Sequence, residues 1–189
     1  MPRRRRISAR AAAFHEAAHA VARLHVGAPA TGVQIVPHGF THGSRRWPGR
    51  GERRMWNWCL VLFAGSYAEA LASRRSLKRT LLNSGQLDLE EAGPALTWLV
   101  RHGYVSSRME ALARIHYETL VFLGLRWGAI ECVSAGLLKD GRLTARQVRV
   151  LASSASGVKA RGGRSSTRPG VPAPQTRFAS KRRSGRPRA

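Results

Sequence analysis

The spacing of apolar residues over 8–25 constrains the fold of this chain more than any other sequence feature. Apolar side chains recur there at the three- and four-residue intervals of one helix face, and Gly27 and Pro29 end the pattern. The residues that form this face are Ala11, Ala12, Phe14, Ala18, Val21, Ala22 and Leu24. The segment therefore predicts an amphipathic helix near the start of the chain.

Most of the remaining chain has the same helical character. Apolar periodicity predicts helices over about 55–73, 88–101, 106–125 and 129–138, with a short last helix that ends near 151. Thr144 and Gln147 form a capping box for that last helix. Residues 33–36 are typical of a short strand, and a loop rich in Gly and Arg is expected over 41–54. The sequence predicts a mainly α domain with a small β-strand or hairpin element.

The charge of the chain is concentrated at its two ends. The formal net charge is +23, yet residues 1–10 contain five Arg and residues 152–189 contain ten Lys or Arg, with no acidic residue in either segment. A hydrophobic content of 43% requires a folded body between them. We therefore predict a basic arm over 1–9, a single folded domain over 10–151 and a disordered basic tail over 152–189.

The two cysteines, Cys59 and Cys132, are too few for a disulfide framework or a four-thiolate zinc site. Both lie in apolar stretches, which predicts buried free thiols in a reducing compartment. Polar residues interrupt the segment after the N-terminal arginines, so a signal peptide is not expected. No run approaches the roughly 18 apolar residues of a membrane span. We expect a cytoplasmic protein without a membrane span.

The segment His15-Glu16-Ala17-Ala18-His19 is an H-E-x-x-H motif inside the first predicted helix. Residues four apart share a helix face, so both imidazoles can reach one zinc ion at about 2.0–2.1 Å. Glu16 is rotated away from the two ligands but is close enough to take a proton from a water molecule that zinc makes acidic. The alternative is that two helical histidines and a surface glutamate bind no metal.

A catalytic zinc site needs a third protein ligand in addition to two imidazoles. Asp88, in the segment Asn83–Ala92, stands at the start of a predicted helix. A carboxylate at that position either binds the metal or caps the helix, and the spacing alone does not choose between these roles. The other acids and histidines are also candidates, the histidines being His25, His38, His42, His102 and His116.

Three separated blocks resemble the proteolytic domain of the FtsH-like zinc metallopeptidases, the membrane-anchored AAA+ proteases of bacteria and organelles. Residues 14–21, FHEAAHAV, are similar to the H-E-A-G-H-A motif of that family, and residues 33–39, VQIVPHG, are similar to its V-x-I-x-P-R-G strand. Residues 62–69, LFAGSYAE, are similar to its L-x-G-R-A-A-E-E helix, which is followed by residues 84–89, SGQLDL, similar to its G-A-x-x-D-L segment. The resemblance covers about residues 10–151.

This resemblance implies a helical, zincin-like metallopeptidase domain of FtsH type over 10–151. It implies that His15, His19 and Asp88 bind Zn²⁺ and that Glu16 is the catalytic acid/base. The implied activity is that of a metalloendopeptidase that hydrolyses peptide bonds in a polypeptide substrate. Because FtsH-like domains form hexameric rings, a homo-oligomer is implied too. Glu69 either orients a zinc ligand from behind or has a role in a surface or buried pair.

The chain also departs from the family pattern. Ala18 replaces the family's Gly, His38 replaces an Arg, and Ser66-Tyr67 replaces Arg-Ala. No P-loop of the G-x-x-x-x-G-K-[ST] type occurs in the sequence. We therefore expect the chain either to act on unfolded or flexible polypeptides or to work with a separate ATPase partner.

A second function, from another class, follows from the charge. Basic ends such as Lys181-Arg182-Arg183 favour phosphate through counterion release, so the chain is alternatively a nucleic-acid-associated or regulatory binding protein on a repurposed peptidase fold. The tail contains one aromatic residue, Phe178, which gives little support to stacking on bases. A third alternative is a scaffold that has lost catalysis.

Overall fold

The structure, a computed structural model, describes residues 8–29, 32–35, 40–42 and 51–161. Within these ranges it is mainly helical with one small antiparallel sheet, so the predicted fold class is confirmed at that level. The helices are α1 (Ala9–His25), α2 (Glu52–Ser73), α3 (Leu77–Asn83), α4 (Gln86–Arg101), α5 (Arg108–Asp140) and α6 (Ala145–Arg161), and the strands are β1 (Gly32–Gln34), β2 (Phe40–His42) and β3 (Arg142–Thr144).

Local hydrogen bonds define where the helices begin. The Ser8 hydroxyl accepts from the backbone N–H of Ala11 at 3.2 Å and so caps α1. At the start of α5, Ser107 is the N-cap residue, and its hydroxyl accepts from the backbone N–H of Glu110 at 3.2 Å. The capping box predicted for the last helix is confirmed, because the Gln147 side chain accepts from the Thr144 backbone N–H at 2.8 Å.

Helices α1, α2 and α5 form the centre of the core. Helix α1 is buried along most of its length because small side chains allow close packing on several sides; Ala13, Ala17, Ala18 and Ala22 have no exposed surface. The bulky core side chains come mainly from α2, α4 and α5, and they include Met55, Leu96, Leu99, Ile115, Leu123 and Ile130. This close packing brings the face of α1 that carries His15 and His19 against α2.

The sheet has the strand order β2-β1-β3, and both pairings are antiparallel. In β1, Val33 lies opposite Thr41 of β2 and opposite Leu143 of β3. Hydrogen-bonded neighbours therefore occupy both sides of Gly32–Gln34, so an extended substrate could not pair with β1 without displacing β2 or β3.

Several boundaries differ from those predicted. The two helices expected over 106–125 and 129–138 are one helix, α5; α2 begins at Glu52 rather than 55; and α3 was not predicted. The last helix continues to Arg161, about ten residues past its expected end. Parts of the expected arm, strand end, loop and tail lie outside the described residues. They fall in residues 1–7, 36–39, 43–50 and 162–189, respectively.

Helix α5 is the one described helix that meets the requirements of a membrane span in length and composition. Of its most apolar window, 39% is buried within the structure. The buried side of the helix, which includes Ile115, Leu123, Ile130 and Leu137, packs in the core. Length and composition alone also fit a core helix, so the expectation that the chain has no membrane span stays a prediction.

Candidate metal centre

His15 and His19 lie one helical turn apart on α1 and direct their Nε2 atoms to the same point. The two Nε2 atoms are 3.0 Å apart, and both side chains are buried. Because residues i and i+4 share a face of an α-helix, the predicted convergence of the two imidazoles follows directly from the spacing of the motif. The helix that carries them is buried along most of its length.

Asp88 approaches the same point from the first turn of α4. Its Oδ2 atom lies 3.2 Å from the Nε2 atom of His15 and 3.3 Å from the Nε2 atom of His19. The three ligand atoms all lie within 4.8 Å of one another, so the three side chains form a group that could hold a metal ion. The other histidines with described side chains lie elsewhere; they are His25, His102 and His116.

The outer nitrogen of each imidazole is hydrogen-bonded to helix α2. The Nδ1–H of His15 donates to Oε2 of Glu69 at 3.1 Å, and the Nδ1–H of His19 donates to the backbone carbonyl of Val61 at 2.7 Å. Carboxylate and carbonyl oxygens only accept, so these bonds place a proton on each Nδ1. The structure thus brings Glu69, which is 1% exposed, behind His15, and it favours the first of the two roles considered for this residue.

When both imidazoles are neutral, the arrangement places three acceptor atoms together without a donor between them. With Nδ1 protonated, each Nε2 carries a lone pair, and Asp88 Oδ2 is a buried oxygen that makes no well-aligned hydrogen bond with any described residue. Electron-rich atoms at this separation repel each other unless a cation lies among them. Two imidazole nitrogens and a carboxylate oxygen are ligands that zinc accepts, so the donor set fits a zinc ion.

The pKa values of His15 and Asp88 also indicate that this site favours a positive charge. Burial alone would lower the pKa of His15, but hydrogen bonds with Asp88 and Glu69 outweigh it and raise that pKa to about 10. Burial alone would raise the pKa of Asp88, whereas the neighbouring imidazoles of His19 and His15 lower it below its usual range. The site therefore stabilises a cation, whether this is a proton or a metal ion.

Glu16 follows His15 on α1 and is also buried, with 5% of its surface exposed. Its negative charge contributes to raising the pKa of His15, which places the carboxylate within electrostatic reach of the metal-ligating group. A buried carboxylate directly after His15 is what the H-E-x-x-H pattern predicts for a proton acceptor.

Gly65 of α2 supports the site, a role that the sequence reasoning missed. A Cβ atom at this position would lie 2.7 Å from Cε1 and 2.9 Å from Cδ2 of the His19 ring, closer than van der Waals contact allows. The imidazole of His19 therefore rests directly on the backbone of α2. Gly65 lies in one of the blocks that resemble the FtsH-like family, but only the crossing of α1 and α2 shows that a side chain there would displace the His19 ring.

Gly85 makes a similar close contact at the start of α4, three residues before Asp88. A Cβ atom there would overlap the Ser66 hydroxyl of α2 and would lie 3.3 Å from Cα of Leu81. Ser66 has no exposed surface, and its hydroxyl makes no hydrogen bond within the described part of the chain. Close packing at Gly65 and at Gly85 therefore fixes α2 against both of the helices that carry ligand atoms.

Comparison with models of known protein families gives no match for this chain, and comparison with curated proteins gives no match either. The assignment of a function therefore depends on the residues and geometry of the site itself.

Proposed function

We propose that this protein is a zinc-dependent metalloendopeptidase in which His15, His19 and Asp88 hold the metal. The observation that carries the proposal is the convergence of Asp88 on the two H-E-x-x-H histidines from another helix. The sequence resemblance to FtsH-like metallopeptidases supports the same three ligands. If Asp88 only capped α4, its carboxylate would not need to lie within 3.3 Å of both imidazoles.

Each side chain of the site has a distinct task in this proposal. A bound zinc ion supplies Lewis-acid chemistry that makes water acidic enough to lose a proton near neutral pH. Glu16 accepts that proton as the water attacks the peptide carbonyl and then gives it to the leaving amine. Glu69 and the Val61 carbonyl hold the imidazoles of His15 and His19 in one orientation and one tautomer, which keeps both Nε2 lone pairs directed inward.

The substrate in this proposal is an unfolded or flexible polypeptide. In the described sheet, β1 is central and β2 and β3 are at the edges, so an extended chain that adds to this sheet would pair with β2 or β3. Peptide-bond hydrolysis on folded substrates would require unfolding by a separate ATPase. The zincin-like type of the fold and a homo-oligomeric assembly belong to the same proposal and rest on the sequence resemblance.

The first experiment separates metal binding from hydrolysis. Purified full-length protein is analysed for zinc content and for chelator-sensitive cleavage of casein, an unfolded substrate. We expect about one zinc per chain in the wild-type protein and in Glu16→Gln, and a loss of about 10²- to 10⁴-fold in cleavage rate for Glu16→Gln. A Glu16→Gln protein that cleaves casein at the wild-type rate would exclude Glu16 as the proton acceptor.

The ligand set is tested with Asp88→Ala and Asp88→Asn, and Glu90→Ala is the matched control on the same helix. Glu90 is exposed and hydrogen-bonded only to Gln86 among the described residues, so its loss should leave zinc content unchanged. Both Asp88 variants should lose most of the zinc while their circular dichroism stays that of a helical protein. Full zinc content in both Asp88 variants would contradict the proposed centre.

A further inference from the structure

Helix α5 carries an apolar face that no described part of the chain covers. The exposed side chains include Tyr117 at 69% and Leu125 at 73%, and a Cβ atom added to Gly124 would meet no atom within 4 Å. The single charged residue exposed between 120 and 128 is Arg126, which lies on the other side of the helix, near His25. The residues of this face recur at helical spacing over about three turns; they are Tyr117, Leu120, Val121, Gly124, Leu125 and Gly128.

A groove with a volume of about 350 Å³ borders this face, between the end of α2 and α5. Its walls are mainly apolar, and Arg74 and Arg75 lie at its rim. The groove is on the side of α2 opposite to Gly65 and Glu69. Residues two and five positions apart lie on opposite sides of a helix, and the groove residues of α2 follow Gly65 and Glu69 at these spacings. The groove is therefore separate from the candidate metal centre. The apolar residues that line it are Tyr67, Ala70, Leu71, Leu77 and Leu120.

The segment next to the groove is strongly basic. Residues 70–87 contain four cationic side chains, which are Arg74, Arg75, Lys78 and Arg79, and no acidic residue. All four are exposed, and none forms an ion pair with a described residue. Exposed leucines accompany them, with Leu71 52%, Leu82 59% and Leu87 67% exposed. Arg74 and Arg75 thus lie beside the apolar residues of the groove, and Lys78 and Arg79 directly follow Leu77, which also lines it.

We propose that this surface docks on a bilayer that contains anionic phospholipids. The docking surface consists of the α5 face, the groove and the two cations that line it, Arg74 and Arg75. Apolar side chains of α5 would enter the boundary between headgroups and acyl chains, the groove would take part of one acyl chain, and Arg74 and Arg75 would pair with lipid phosphates. A second copy of this chain is a poor occupant of this surface, because pairing the surface with itself would bring Arg74 and Arg75 of both copies together.

Arg74 offers a variant that removes charge without weakening the fold. It ends α2 in the left-handed region, with φ 52° and ψ 36°, a conformation that costs less for glycine than for any residue with a Cβ atom. Arg74→Gly should therefore be at least as stable as the wild-type protein. Any loss of lipid binding in this variant cannot be attributed to unfolding.

The test is co-sedimentation of the full chain with vesicles of phosphatidylcholine alone, or of phosphatidylcholine and phosphatidylglycerol in about equal amounts, at about 0.15 M salt. We expect binding to the anionic vesicles, a loss of about fivefold for Arg74→Gly and about thirtyfold for Arg74→Gly with Arg75→Gln. Leu120→Gln with Leu125→Gln should weaken binding by tenfold or more, on the order of the loss expected for two partly buried leucines.

The matched control is Arg142→Gln with Arg146→Gln, which removes the same charge from exposed positions in β3 and α6. The binding of this control should fall by no more than about threefold, which is the reduction expected when the net charge of the chain is lowered away from the docking surface. Equal losses for this pair and for the Arg74/Arg75 pair would overturn the proposal, since they would mean that attraction by the net charge explains the binding. Wild-type binding by the leucine pair would also overturn it, as would light scattering in which the wild-type chain is an oligomer and the leucine pair is a monomer.

Discussion

The contact between Gly65 and His19 gives the sharpest test of how the metal centre is held. In Gly65→Ala, a methyl group would lie 2.7 Å from Cε1 of His19, whereas ordinary contact begins at about 3.4 Å. Because Nε2 of the same ring would lie closer still, the ring has to move by at least about 0.7 Å, on the order of the misplacement that costs a site 10²-fold. That movement disturbs its 2.7 Å hydrogen bond to Val61 and its approach to Asp88.

The expected effect on the fold is much smaller than the effect on the metal. Alanine is favoured over glycine within a helix by about 1 kcal/mol, which offsets part of an overpacking cost of about 1–3 kcal/mol. Zinc affinity, in contrast, should fall by about 10- to 100-fold, or about 1.4–2.7 kcal/mol, as it does when a ligand loses its correct orientation. The protein should stay folded and lose its metal.

Competition with a fluorescent zinc chelator measures the affinity, and urea unfolding in the presence of excess chelator measures the fold alone. Gly124→Ala is the matched control, because the same substitution on α5 meets open space and should leave zinc affinity unchanged. Zinc binding by Gly65→Ala that equals the wild-type affinity would refute the reasoning, because it would show that the imidazole of His19 either does not rest on Gly65 or does not bind the metal.

Three further predictions concern the same core. Because Asp88 and Glu69 raise the pKa of His15 to about 10, zinc has to displace a proton, so affinity should increase about tenfold per pH unit from about pH 6 to 9; a flat profile in chelator competition would contradict this. Glu69→Gln keeps a hydrogen-bond acceptor but removes the charge behind His15, so zinc affinity should fall by about tenfold while helical circular dichroism is retained. Burial raises the pKa of Cys59 to about 12, so iodoacetamide should label the partly exposed Cys132 first and Cys59 only in denaturant, as peptide mass spectrometry would show.

Local patterns were sufficient for the helices and for two ligands of the site. The start of α1 follows from Ser8 and the apolar spacing after it, and the convergence of His15 and His19 follows from their separation of one helical turn. Asp88 could not be chosen from local spacing, because a metal ligand and a helix cap have the same sequence appearance in the first turn of α4. The family resemblance indicated it, and the packing of three helices brings it to the histidines.

The features that were missed depend on contacts between distant segments. Apolar periodicity predicted two helices over 106–125 and 129–138, but core contacts at Leu123 and Ile130, on both sides of the glycines at 124 and 128, keep α5 continuous. The short strand β3 has no sequence signal of its own, because its three residues become a strand only by pairing with β1. The Val61 carbonyl that orients His19 cannot be predicted from residue types, since every residue has a carbonyl group.

The pairing of β1 with β3 also has a consequence for the order in which this protein folds. Gly32 and Thr144 are neighbours in the sheet although about 110 residues separate them in the chain. Pairing of residues so far apart in the chain requires closure of a long loop, which costs chain entropy, whereas the contacts within a helix are local. Contacts between distant residues therefore slow folding. During synthesis, all three proposed ligands leave the ribosome before Leu143 does. The metal centre can therefore assemble on a chain whose sheet is still incomplete, and closure of the sheet would be the late step that fixes the N-terminal third of the domain.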